Sequence, residues 1–128
     1  MIIDSSAIVA IVLQEPGHES ILDKLAGSAS VGIGAPTLVE TAIVLSARLG
    51  TDARGMLARL LSEAGISVVP FGEAHYATAV DTWLRFGKGR HRASLNFGDC
   101  LSYATARLAG QPLLCVGEDF SQTDIELA

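Results

Sequence analysis

Several absences narrow this chain before any motif is found in it. Its 128 residues include two cysteines, Cys100 and Cys115. Two thiols make neither a disulfide scaffold nor a zinc cluster, and the plain reading is a cytoplasmic protein that buries both. The three histidines, His18, His75 and His91, share no metal-ligand spacing, so an imidazole metal site has no footing. Neither a Gly-x-x-x-x-Gly-Lys loop nor a Gly-x-Gly-x-x-Gly fingerprint occurs, which removes the main warrant for a nucleotide-binding fold. Gly-x-Ser-x-Gly is missing too; Gly27-Ser28-Ala29-Ser30 does not meet it, and no base stands near a candidate serine or cysteine nucleophile. No apolar run approaches the roughly 18–20 residues that cross a bilayer. The longest near the start, Ala7 to Leu13, follows Asp4 rather than a basic stretch, a pattern that reads against a signal peptide. Positive charge is also scarce. Nine basic residues face 14 acidic ones, for a net charge of -5, which argues against a protein that holds nucleic acid by general positive charge.

What is present is apolar material in short, regularly interrupted pieces. Hydrophobic residues make up 49% of the chain, enough for one domain (residues 1–128) to bury a core without staples. Met1-Ile2-Ile3, Val31 to Gly34, Ser67 to Pro70 and Leu113 to Val116 read as strands. The last is apolar throughout, as expected of a strand buried on both faces. Between them lie helical patterns over Ala7–Leu13, His18–Ala26, Thr37–Leu49, a segment capped by Thr51-Asp52 and running to Ala64, Glu73–Phe86 and Phe97–Leu108. Met56, Leu57, Leu60 and Leu61 form the expected core stripe of one helix, and Tyr76, Ala77, Val80, Trp83 and Leu84 that of another. Short apolar strands alternating with helices predict an α/β fold, a central parallel sheet flanked by helices on both faces. Ligands in such folds bind at the carboxyl ends of the strands.

Four carboxylates fall at such places. Asp4 follows the first strand and Asp119 the last, while Glu40 and Asp99 lie in the first turns of helices. Carboxylate oxygens suit hard cations such as Mg²⁺. Each residue also has a structural reading. Asp4 fits an N-cap, Asp99 the acidic partner of Asn96 in a capping box, and Glu118-Asp119 an ordinary turn. Glu40 sits among Leu38, Val39, Ala42, Ile43 and Val44, where an ionised group is costly unless it is paired or bound to a metal, although a surface carboxylate near a helix N-terminus is also favoured. Arg85, Lys88, Arg90 and Arg92 gather four of the nine basic residues in eight positions, either a solvated loop or a strip that meets phosphate.

Taken in order, four segments resemble the PIN-domain ribonucleases, specifically the VapC-type toxins of toxin–antitoxin systems: Met1-Ile2-Ile3-Asp4-Ser5-Ser6-Ala7, Leu38-Val39-Glu40, Leu95-Asn96-Phe97-Gly98-Asp99-Cys100-Leu101-Ser102-Tyr103-Ala104, and Pro112 to Phe120 with Thr123-Asp124-Ile125. The resemblance spans essentially the whole chain. It implies a PIN-like fold and a Mg²⁺- or Mn²⁺-dependent endoribonuclease whose catalytic carboxylates are Asp4, Glu40, Asp99 and a fourth residue, Asp119 or its neighbour Glu118. Of these, Asp4, Asp99 and Asp119 are the implied metal ligands, with Ser5, Ser6 and Thr123 as polar residues near the site. It also implies a cognate VapB-type antitoxin, an RNA substrate and a homodimer. Two other acidic α/β folds fit less well. A phosphoacceptor receiver needs a lysine after a late strand, and the only lysines are Lys24 and Lys88. A haloacid-dehalogenase-like phosphatase needs Asp-x-Asp after the first strand, where Ser6 takes the second place. Subtracting the four carboxylates from the 14 acids leaves 10 against 9 bases, so most of the net negative charge is local to the expected site.

Overall fold

Side-chain alternation along four short strands sets the architecture. In the computed structural model, which describes residues 1–128, β1 (Ile2–Ile3), β2 (Val31–Gly34), β3 (Ile66–Val69) and β4 (Leu113–Leu114) form one parallel sheet in the order β3-β2-β1-β4. Six helices connect them: α1 (Ser5–Val12), α2 (His18–Ala26), α3 (Ala35–Leu49), α4 (Arg54–Ala64), α5 (Glu73–Phe86) and α6 (Phe97–Ala109). Successive strand residues point to opposite faces. Ile3, Val31, Ile33 and Leu114 therefore join Ile8, Leu45 and Leu57 in one core, against α1 to α4. Ile2 and Leu113 join Leu101, Tyr103 and Ala104 in the other, against α6. Each fully buried Ile or Leu side chain contributes roughly 1.5–3 kcal/mol, so the two cores on opposite faces clamp the sheet between them.

The α6 side of β2 carries no side chains. A Cβ on Gly34 would come within 2.7 Å of the Thr105 hydroxyl. The bare backbone there lets α6 lie close on the sheet, and α6 is buried almost without a break from Gly98 to Ala106. The helix α5 packs outside α6, as a second layer. That placement corrects the expected core face of α5. Tyr76, Val80, Trp83 and Leu84 are exposed, whereas Ala79 and Thr82 are buried. The periodicity identified an apolar stripe, but the close approach to α6 selected the face with smaller side chains. In α4, Leu57 is buried while Met56 is exposed.

Element ends also moved. Asp4 caps α1, which starts at Ser5. Pro36 sits in the first turn of α3 rather than closing β2, as its fixed φ allows. The expected Thr51-Asp52 cap is replaced by Ala53, whose N–H donates to the Ser46 hydroxyl at 2.9 Å. The last strand stops at Leu114, and Val116 is exposed. The final residues return to β4: Leu113 N–H donates to the Glu126 carbonyl and Ala128 N–H to the Leu113 carbonyl, both at 2.9 Å. No helix is long and apolar enough to cross a membrane.

Candidate active site

The carboxyl ends of β1 and β4 and the N-terminal turns of α3 and α6 meet on one edge of the sheet. Asp4 continues the alternation of β1 onto the α6 face, and it is only 4% exposed. An anion there needs partners, and it has three. Ser6 N–H and Ser6 Oγ donate to Oδ2 at 3.0 and 2.6 Å, and Ser102 Oγ, from α6, donates to Oδ1 at 2.5 Å. The Ser6 oxygen in turn accepts from Val116 N–H at 3.0 Å, tying the loop after β4 to the end of β1.

Asp99 is held by the start of its own helix. Its Oδ2 accepts from Asn96 N–H at 3.0 Å, and its N–H donates to Asn96 Oδ1 at 2.8 Å. This reciprocal pair satisfies two N-terminal donors and fixes the carboxylate in the first turn. Glu40 arrives from α3 and lies across Gly98: a Cβ on that glycine would stand 2.3 Å from Glu40 Oε2 and 3.0 Å from Oε1. The missing side chain at Gly98 is what admits Glu40 beside Asp99. Asp119 precedes the 3₁₀ turn Phe120–Gln122.

The electrostatics tie these groups together. Burial pushes Asp99 up to about 6, against the pull of the Asn96 N–H, and the negative charges of Asp4, Asp119 and Glu40 push it in the same direction as burial. Between the two candidate acids after β4, Asp119 is the one whose charge reaches Asp99. Glu118 instead engages Ser121, whose hydroxyl donates to the Glu118 carbonyl at 2.6 Å and stands 3.3 Å from its carboxylate. The neighbouring Cys115 thiol is pushed up to about 11, by burial first and then by Asp4 and Asp99, so it stays protonated at neutral pH and offers no thiolate.

No three His, Cys, Asp or Glu side chains are grouped closely enough, as they stand, to hold a metal ion. The donor chemistry nevertheless fits a hard divalent cation. All the ionised groups acting on Asp99 are carboxylates, and a cation would relieve the mutual repulsion that helps raise it.

The other predicted residues divide. Ser6 is in the site. Ser5 makes no side-chain hydrogen bond, and the Thr123 hydroxyl serves its own turn, donating to the Phe120 carbonyl at 2.7 Å and accepting from Ile125 N–H at 3.2 Å. Arg85 is bound to Asp124 at 3.0 Å, and Arg90 lies over the Trp83 ring and donates to the Leu84 carbonyl. Lys88 and Arg92 are exposed, without an ion pair. Sequence reasoning missed Ser102. The signal was present: it is a hydroxyl three residues after Asp99, one turn along the same face, inside an otherwise apolar run.

A small parallel α/β domain with an uncompensated acidic site at the carboxyl edge of its sheet is the class that these observations define. The PIN domain model matches residues 1–126. The chain is 54% identical over 127 residues to Ribonuclease VapC36 of Mycobacterium tuberculosis, an alignment covering 98% of this chain and 91% of that protein. Among solved structures, Mycobacterium tuberculosis VapC20, described as a sarcin-ricin loop cleaving toxin, shares the fold with a TM-score of 0.79 at 21% identity, covering 99% of this chain and 97% of that one. A toxin–antitoxin complex from Klebsiella pneumoniae gives a TM-score of 0.73 at 15% identity, covering 99% and 95%. The chain belongs to the PIN-domain family, among the VapC-type ribonucleases, hydrolases that act on the phosphodiester bonds of RNA.

Proposed function

We propose that residues 1–128 form one catalytic domain, a cytoplasmic endoribonuclease dependent on Mg²⁺ or Mn²⁺ and the toxin of a toxin–antitoxin pair. The observation that carries this reading is Asp99, a half-buried carboxylate raised to about 6, on which the charges of Asp4, Asp119 and Glu40 all act with the same sign. A bound divalent ion supplies acidification of water and neutralisation of charge on the phosphoryl and leaving oxygens. Asp4 and Asp99 are the principal ligands. Asp119 completes the set from the loop after β4. Glu40, aligned over Gly98, orients the attacking water, and Ser6 holds the Asp4 carboxylate in place. In-line attack by water with departure of the 3′-oxygen leaves a 5′-phosphate and a 3′-hydroxyl. Lys88 and Arg92, free of ion pairs, contact the RNA backbone; Arg90 ties their loop to the Leu84 carbonyl, while Arg85 pairs with Asp124 of the C-terminal segment.

The partner is a VapB-type antitoxin. A basic side chain from it suits the acidic site by electrostatic complementarity, and the Klebsiella pneumoniae structure is a toxin–antitoxin complex on this fold. A homodimer suits the apolar outer surface, where Val39 and Ile43 of α3, Met56 of α4 and Phe97 at the start of α6 are exposed. The test is RNA cleavage by the purified protein with Mg²⁺ and with EDTA. Cleavage with Mg²⁺, none with EDTA and none by the Asp4→Asn variant is the expected result. Metal-independent cleavage, or full activity in Asp4→Asn, would overturn it.

A further inference from the structure

The bond that holds Asp4 from the α6 side begins on a different helix. Ser102 and Thr37 are each 1% exposed, and Thr37 Oγ1 stands 3.3 Å from Ser102 Oγ. A serine hydroxyl has one proton to donate. That of Ser102 goes to Asp4 Oδ1 at 2.5 Å, because a carboxylate can only accept. Thr37 must therefore be the donor in its contact with Ser102, and the two bonds run in one direction, Thr37 to Ser102 to Asp4.

The count of lone pairs on Asp4 gives this chain a consequence. An ionised carboxylate has about two acceptor sites on each oxygen. Ser6 supplies two donors to Oδ2, and Ser102 supplies one to Oδ1. The acceptor site left over is on Oδ1, the oxygen that Ser102 holds. The relay also spans the elements of the site. Ser102 lies three residues after Asp99 on α6, and Thr37 three residues before Glu40 on α3. One pair of buried hydroxyls thus joins the strand end bearing Asp4 to the two helices bearing Glu40 and Asp99.

We propose that Ser102, oriented by Thr37, is a positioning residue that aims the free lone pair of Asp4 at the cation. The inference rests on the metal-dependent reading of the site. Hydrogen-bonded partners behind metal ligands commonly change metal affinity or activity by roughly 10–100-fold when removed. Two observables separate this role from simple packing: Mn²⁺ binding to the full chain, followed by electron paramagnetic resonance of the free ion, and steady-state cleavage of an RNA oligonucleotide. Ser102→Ala should weaken Mn²⁺ binding and lower kcat, each by about 10-fold or more, with KM for RNA within about twofold of the parent. Thr37→Val, which does not touch Asp4, should show a smaller loss of both, and Thr37→Ser should restore both. Unchanged Mn²⁺ binding and kcat in Ser102→Ala would overturn the proposal. If Ser102→Ala does not fold, the threonine pair decides: equal Mn²⁺ affinity in Thr37→Val and Thr37→Ser sinks it. Asp4→Asn separates the two levels. An inactive Asp4→Asn beside a normal Ser102→Ala removes the relay alone, whereas an active Asp4→Asn removes the metal-site reading and the relay with it.

Discussion

Two carboxylates, one in the first turn of α6 and one held against its later turns, have met opposite fates. Asp124, in the returning C-terminal segment, accepts from the Tyr103 hydroxyl and lies 2.9 Å from an Arg107 nitrogen and 3.0 Å from one of Arg85. Burial draws its titration upward, but the bonds from Tyr103 and Arg85 and the charges of both arginines outweigh it and leave Asp124 lowered to about 2. Burial raises Asp99 to about 6 against the pull of one backbone N–H, and three carboxylates push it the same way. The same side chain is thus a satisfied latch in one place and an unmet demand for positive charge in the other. Structural carboxylates are balanced within the chain. The proposed catalytic ones are left for something else to balance.

The sharpest break in that comparison is Asp99→Asn, which keeps an oxygen for the Asn96 N–H while removing the charge. RNA cleavage should fall by roughly 100-fold or more, the scale of losing several kcal/mol of charge stabilisation, with the circular dichroism spectrum unchanged. A variant that cleaves normally would place Asp99 with Asp124 as a structural residue. Next in size is Gly98→Ala. The three atoms nearest the new methyl all belong to the flexible end of Glu40, so it should displace that carboxylate and cut kcat about 10-fold. Stability should hold or rise by up to about 1 kcal/mol, because alanine is the better helix residue. A melting temperature that drops sharply would show that the glycine serves packing instead.

The pH dependence of melting measures the imbalance itself. Asp99 titrates at about 6 in the fold against 3.8 in a free chain, so between those values the native state holds a proton that the unfolded state has released. Stability from this group is present below the lower value and is lost as pH rises through the upper one. In EDTA, the protein should melt at a lower temperature at pH 7 than at pH 5 by more than Asp99→Asn does, and Mg²⁺ should restore the loss at pH 7. An identical pH response in protein and variant would remove Asp99 from the account. The smallest effect belongs to the other carboxylate. Asp124 is lowered, so its contribution is present above the free-chain value of 3.8 and is lost as pH falls toward 2. Its side chain is 47% exposed, and solvent screening limits the bonds to about 1 kcal/mol. Asp124→Asn should melt a few degrees lower and cleave RNA within about twofold of the parent; a large loss of activity would join the two clusters into one functional unit.

Much of the site was legible along the chain because its residues stand at the ends of local elements. Asp4 after a short apolar strand and Asp99 three residues after Asn96 each suit a cap as well as an acidic site, and Glu40 stands on an apolar stretch of helix. The capping and catalytic readings of Asp4 and Asp99 looked like alternatives, yet the structure gives both residues their caps within the acidic site. A helix N-terminus fixes a carboxylate's position, and that is what a ligand needs. Asp119 and Glu118 were inseparable by spacing; only the path of the loop brings the charge of one of them to Asp99.

By itself, then, the amino-acid order determined the α/β class, the run of strands and helices and the placing of Asp4, Glu40 and Asp99 near element ends, because those follow from local periodicity and caps. The three-dimensional packing decided which face of α5 is buried, why position 98 has no side chain, and that Ser102 and Thr37 stand behind Asp4. Those facts join residues from separate elements: Asp4 and Ser102 stand 98 positions apart, and no local pattern records a contact across that distance.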